Sequence, residues 1–212
     1  MGYKILENTG MEAISTLIKG LDYINQYTDK VVDVVILSLG CEYESGALNI
    51  AISNSIKAGI TIVVAAGNEG KNARTFTPAN NPEVITVSAI ADSDGKCGGN
   101  GPPTPYGEDD MLASFSNFGD AVDISAPGVE IYSTFKSNSY TKLTGTSMAA
   151  PHVAGAAALY ISLHSEAYPK DVKNYLLNSG TNLRDLCDGN GHGYFVGDRD
   201  SLHEPLLYIK KI

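Results

Sequence analysis

VVDVVILSLGCEYESGALNIAISNSIKAGITIVVAAGNEG, residues 31–70, reads as strand, helix, strand. The opening run, residues 31–40, is β-branched, broken by one charge at Asp33 and closed by glycine. Such a run suits a short strand buried on both faces, which needs no polar alternation. Residues 47–59 carry a helical pattern that stops at Gly59. Residues 60–70 are a second apolar run that enters a glycine loop.

The alternation continues on either side of this unit. In residues 13–26, Ile14, Leu17, Ile18, Leu21 and Ile24 recur at spacings of three and four, which predicts an amphipathic helix. EVITVSAI (residues 83–90) and AVDISAPG (residues 121–128) predict two more strands. Two further helices are expected, one following Ser147 and a shorter one over residues 170–178. Strands alternating with helices argue for an α/β fold, a parallel sheet covered by helices. No internal repeat or clear linker divides the chain, so residues 1–212 are read as one domain. The loosest stretch is a Gly/Pro/acid loop over residues 92–110.

With 43% hydrophobic and 18% charged residues among 212, the chain supports a sizeable core, and disorder is not expected. A net charge of −9 disfavours nucleic acid and anionic membrane, which want basic surfaces. No apolar run is long enough for a transmembrane helix, and the first residues lack the layout of a signal peptide. Three cysteines, Cys41, Cys97 and Cys187, lack metal spacing. They allow at most one disulfide, and isolated thiols are the expectation.

The chemistry concentrates in LTGTSMAAPHVAGAAALY, residues 143–160. Past Met148 the small and apolar residues occupy every face, which predicts a buried helix. Thr146 is the N-cap candidate, placing Ser147 in the first turn. The free N–H groups and partial positive charge there suit an oxyanion beside the serine. Pro151 removes one backbone donor and leaves the Ser147 carbonyl free. A serine that merely caps a structural helix is the alternative on this stretch alone.

Other segments bear on that choice. The block Gly145-Thr146-Ser147-Met148-Ala149-Ala150-Pro151-His152 resembles the active-site serine block of the subtilisin-like serine proteases. Ser38, Leu39 and Gly40 resemble that family's substrate-binding strand; Ala65, Ala66, Gly67 and Asn68 resemble the opposite strand and its oxyanion asparagine. Residues 113–134 and the ending GDRDSLHEPLLYI are similar too. The resemblance implies a three-layer α/β fold with a mostly parallel sheet and helices on both faces. It implies peptide-bond hydrolysis, with Ser147 as nucleophile and the Asn68 amide and the Ser147 N–H as oxyanion donors. The substrate, a peptide or protein, would add as a strand between residues 38–40 and 65–67. Glu69 reads either as the rim of a specificity pocket favouring basic or polar side chains or as an exposed loop acid. A secreted or cell-surface location follows from the family alone. No cofactor is required. Calcium is common in the family, and Asp92 and Asp94, with Glu108, Asp109 and Asp110 nearby, offer hard oxygen ligands. They lack the full twelve-residue EF-hand pattern, and a solvated acidic turn is the alternative.

The family orders its triad Asp, His, Ser along the chain. Its Asp-Ser/Thr-Gly and His-Gly-Thr blocks do not occur here, so the chain resembles the family domain truncated at its N-terminal side. Of four histidines, His152 follows Ser147 by five positions and points to another face, His164 ends the same helix, and His192 and His203 lie in the tail. A serine without a base is a feeble nucleophile, so the chain alone is expected to be inactive or very weak. Three accounts stay open: a piece whose Asp and His come from elsewhere, a non-catalytic peptide-binding module, and an esterase-like elbow, Gly145-x-Ser147-x-Ala149, served by His192 or His203. Residues 3–6 resemble the family's third strand, whose neighbour, the first strand, is missing. Residues 31–38 are then expected to lie bare at a sheet edge, marginal as a monomer and inviting self-association or a complementing segment.

Overall fold

The computed structural model describes residues 14–26, 32–188 and 193–209. The resemblance drawn for residues 3–6 lies outside them. In chain order the elements are α1 (Ile14–Asn25), β1 (Val34–Leu37), α2 (Gly46–Lys57), β2 (Thr61–Ala65), β3 (Ile85–Ala91), β4 (Met111–Leu112), β5 (Ile124–Pro127), β6 (Ile131–Phe135), β7 (Ser139–Leu143), α3 (Thr146–Leu163) and α4 (Pro169–Ser179). Strands β1, β2, β3 and β5 pair in parallel in that order, and the short β4 joins the far end of β3 antiparallel. The fold is the expected three-layer α/β arrangement with a mostly parallel sheet.

The pleat of β2 explains the layers. Successive strand side chains point to opposite faces. Val63 and Ala65 join the cluster built on Ala149, Ala150 and Val153 of α3 and on Val172 and Leu176 of α4. Ile62, Val64 and Ala66 join the other cluster, with Leu17 and Leu21 of α1 and Leu48 and Ile52 of α2. Every residue of β2 and β3 is buried, the polar Thr61, Thr86 and Ser88 included. Each large aliphatic side chain enclosed in this way stabilises by about 1.5–3 kcal/mol.

Four expectations change. The first strand shortens to Val34–Leu37, four residues; it pairs with β2 alone, so its other side is a bare edge among the described residues. The α3 helix is not buried all round: Pro151, His152, Gly155, Ala158, Leu159 and Leu163 are exposed, and a Cβ added at Gly155 meets nothing within 4 Å. Composition reports what a helix could bury against, and here only one side of α3 has the sheet and α4 to bury against. Cys97 and Cys187 form a disulfide across 90 residues, with Cys41 left free. The β6–β7 hairpin had no counterpart among the expected strands. Its turn residues Ser137 and Asn138 have φ of 60° and 55°, the left-handed pair that matches the twist of a tight hairpin.

Candidate active site

The serine stands where α3 begins. Gly145, with φ of 151°, is the helix N-cap, and Thr146 is the first helical residue rather than the cap. The Thr146 hydroxyl is used elsewhere: its Oγ1 donates to Asn68 Oδ1 at 3.0 Å and accepts from the Gly67 N–H at 3.2 Å. The Thr146 N–H donates to the same Asn68 oxygen at 2.8 Å. Asn68 Oδ1 is thus doubly held, and no hydrogen bond from its NH2 group to a described residue is found. Ser147, half-buried, follows in the first turn, where an N–H has no carbonyl four residues back. Pro151 cannot donate to the Ser147 carbonyl, and the Ser38 hydroxyl takes that oxygen at 3.3 Å. Helix start, asparagine loop and the end of β1 are thus tied together through three side chains.

Ser38, Leu39, Gly40, Ala65, Ala66, Gly67, Asn68 and Ser147 all line one cavity of about 120 Å³. Phe76, Thr77 and Ala79 close it, and Glu69 stands at its border, exposed. A second hollow of about 370 Å³ flanks Ser147 between the β6–β7 hairpin and the first turns of α3, walled by Ile131, Leu143, Met148, Pro151 and His152.

A further residue holds this site; it lies in the stretch 113–134, which the sequence reading matched only as a whole. Asn117 is fully buried. Its Nδ2 donates to the Ala66 carbonyl and to Glu69 Oε2, both at 2.9 Å. Its Oδ1 accepts from the N–H groups of Glu69 at 3.2 Å and Lys71 at 2.9 Å. Its own N–H donates to the Gly67 carbonyl at 3.0 Å. Asn117 therefore shapes the whole loop that presents Asn68, a task that only the tertiary contact reveals.

Among the described residues no histidine hydrogen-bonds Ser147. His152 is exposed, and its Nδ1 lies 2.9 Å from the Met148 carbonyl. The ring of His164 lies tilted against that of Tyr160, their centroids 4.4 Å apart. His203 Nδ1 pairs with Asp198 at 3.3 Å, while His192 lies outside the described residues.

The acidic loop is a different arrangement from the one expected. Asp92 gathers with Asp109 and Asp110, and Asp94 is not part of the group. These carboxylates already serve the loop's own backbone. Asp109 accepts from Ser93 N, Ser93 Oγ and Gly101 N, Asp110 from Gly98 N and Gly99 N, and Asp92 from Gly95 N. Burial pushes the Asp92 and Asp110 carboxyls up, whereas the donors around Asp109 outweigh its burial and hold it below the usual carboxylate range. Oxygen ligands of this kind suit a hard cation, but the order of the loop is accounted for by these hydrogen bonds without one.

Comparison with known proteins gives a consistent picture. The family model described as "Subtilase family" matches residues 1–194. Subtilisin DY of Bacillus licheniformis is 37% identical over 185 residues, 86% of this chain and 61% of that protein. The cuticle-degrading serine protease of Arthrobotrys oligospora is 42% identical over 161 residues, 75% of this chain and 35% of that protein. The crystal structure of a cold-adapted subtilisin-like serine proteinase superposes with a TM-score of 0.75 at 30% identity, covering 97% of this chain and 65% of that one. The chain spans less than two thirds of the length of these relatives.

Proposed function

The chain belongs to the subtilase family, and from that premise we propose that it carries the nucleophile and oxyanion half of a serine endopeptidase. The observation that supports this best is the convergence of Ser38–Gly40, Ala65–Asn68 and Ser147 on one cavity, with the Asn68 oxygen held by Thr146.

In this proposal an extended peptide lies between residues 38–40 and 65–67 and pairs with both backbones. Ser147 Oγ attacks the scissile carbonyl carbon while its proton passes to a base. The carbonyl oxygen takes up the electron pair and is met by Asn68 Nδ2 and the Ser147 N–H. The C–N bond then breaks as the leaving amine receives the proton, and water releases the acyl group by the same steps in reverse order. All groups are protein groups, so the reaction uses no cofactor. The base comes from a polypeptide segment outside the described residues. The bare edge of β1, the exposed side of α3 and the hollow beside Ser147 give such a segment three surfaces to dock on. The Cys97–Cys187 disulfide and the similarity to the extracellular serine proteinase of a Thermus species support a secreted or cell-surface location.

A second reading, a peptide-binding module without catalysis, is favoured by the lack of a base at Ser147 among the described residues. Fluorophosphonate labelling and turnover of a chromogenic peptide separate the two. The isolated chain is expected to label slowly and to turn over substrate at a rate down by a factor on the order of 10⁶, the loss that subtilisin itself suffers when its triad is removed. Adding a segment that bears the family's Asp and His blocks should restore labelling at Ser147. Restored peptide binding without restored labelling would favour the binding module. Strong stoichiometric labelling of the isolated chain would show that a base is already present and defeat the proposal of an outside base.

A further inference from the structure

Arg199 belongs to the segment beyond α4, yet its guanidinium meets the loop that presents Asn68. Nη1 donates to the Gly70 carbonyl at 3.2 Å, and Nη2 donates to the Ser114 carbonyl. Its Cζ lies over the Phe118 ring, 5.6 Å from the centroid. The segment that bears the arginine is tied down on either side of it. Before it, the Val196 N–H donates to the Asp110 carbonyl at 2.8 Å, and the Leu112 N–H donates to the Val196 carbonyl at 2.9 Å. After it, the Ser125 N–H donates to the Pro205 carbonyl at 2.8 Å, and Leu206 and Thr181 exchange two backbone bonds of 2.9 Å.

The loop is laced on one side to residues 113–118. Besides the bonds of Asn117, the Gly70 N–H donates to the Phe115 carbonyl at 2.8 Å, and the Phe118 N–H donates to the Lys71 carbonyl at 3.1 Å. The Gly70 carbonyl is met from the tail instead. Gly70 has a φ of 62°, and a Cβ there would lie 3.0 Å from Arg199 Nη1 and 3.3 Å from the Ser114 carbonyl oxygen. Only a residue without a side chain lets the guanidinium come this close. A planar fork serves two carbonyls of different segments at once, which the point donor of a lysine does not. We propose that Arg199 is a positioning residue: it holds the Gly70 end of the loop from the tail and so fixes the Asn68 amide, two residues away. Asn68 Oδ1 is anchored on Thr146, and the loop beyond it is then fixed on both sides. Freed from the tail, the outer half of the loop moves against that anchor. The kinetic consequence rests on the endopeptidase reading; the mechanical one does not. A displaced oxyanion donor weakens the transition state, whereas the bound substrate pairs with residues 38–40 and 65–67.

The test compares the full chain with its Arg199→Ala and Arg199→Lys variants. Arg199 is exposed, so its truncation leaves no internal void and the variants should fold. Amide hydrogen exchange comes first. In Arg199→Ala the Gly70 and Lys71 amides should exchange about tenfold faster, in Arg199→Lys about threefold faster, with β3 unchanged in both. Free methylguanidine at a non-denaturing concentration should slow these amides again in the Ala variant. Kinetics come second, with the added segment that bears the family's Asp and His blocks. There Arg199→Ala should lower kcat about three- to thirtyfold, short of the roughly 10²–10³-fold that outright loss of the asparagine donor costs subtilisin. KM should stay within about twofold, and Arg199→Lys should fall between the two proteins. If the segment restores no turnover to the unchanged protein, the endopeptidase reading fails, and the exchange data alone decide the role of Arg199. Unaltered exchange at Gly70 and Lys71 in the Ala variant, or equal acceleration in β3, overturns the proposal. So does a loss of turnover carried by KM.

Discussion

Asn117 shows how much one amide can hold. It accepts and donates along the loop that presents Asn68, from the Ala66 carbonyl to the Lys71 N–H. Truncation leaves several buried backbone groups unpaired, each costing about 1–3 kcal/mol. Asn117→Ala is therefore expected to lose about 2–4 kcal/mol. Amide exchange should speed up over residues 66–71 before it does in β3; uniform loss of protection throughout would count against a local role. Glu204 makes the opposite case. It is buried, and its Oε1 accepts from Ser88 Oγ at 2.7 Å and Ser125 Oγ at 3.0 Å. Burial first, and then the neighbouring Asp198 charge, push its carboxyl up. The folded state thus holds the proton more tightly than the unfolded one. The stability this contributes is present below the unfolded carboxyl value and is lost as pH rises through the higher folded value. Gln keeps an acceptor oxygen and has no charge to bury. The Tm of Glu204→Gln relative to the unchanged protein should accordingly climb as pH is raised from about 4 toward 7. A difference that shrinks over that range would reverse the sign.

Between elements, a close approach joins the end of β5 to the start of α3. A Cβ on Gly128 would come within 2.6 Å of Ala89 Cβ and 2.9 Å of the Gly145 carbonyl. Gly145 is the N-cap of α3 and donates to the Gly128 carbonyl, so this contact sets the height of Ser147 above the sheet. Gly128→Ala is expected to cost about 1–3 kcal/mol by overpacking. The backbone amide resonances of residues 145–147 should shift with it, and a silent substitution would mean that the helix start is not seated there. The other element at issue is β1. Among the described residues its far side has no strand partner, and Ile36 stands 42% exposed. Unguarded edges of this kind pair with other chains, and a lysine is a common guard. Sedimentation should find the unchanged protein self-associating and Ile36→Lys less so, with a change in stability within about 0.5 kcal/mol. A monomeric unchanged protein would rule out pairing through this edge.

For the whole molecule, the Cys97–Cys187 link joins the loop of residues 92–110 to the segment beyond α4. Constraining an unfolded chain across 90 residues stabilises by up to about 4–5 kcal/mol in the loop-entropy account, and native disulfides typically give about 2–4. Reduction should lower Tm by several degrees, and Cys97→Ser should reproduce the loss; equal melting of reduced and oxidised protein would show that the loop is held by its aspartates alone.

The order of strands and helices was legible in the chain because burial on both sides of a sheet leaves a local trace: apolar runs in β2 and β3, a three-four spacing in α1, and glycines at Gly59 after α2 and Gly67 after β2. The Gly145-Thr146-Ser147 block was legible as a helix start for the same reason, since capping and first-turn donors are local. What the tertiary structure decided is which distant groups meet. Periodicity reports how much of a residue is covered and not by what, so it could not show Asn117 shaping the Asn68 loop, Arg199 reaching Gly70, or Cys97 finding Cys187. Nor could it show that the apolar α3 keeps one side bare, because the sequence of a helix states its capacity for burial, and only its neighbours determine whether that capacity is used.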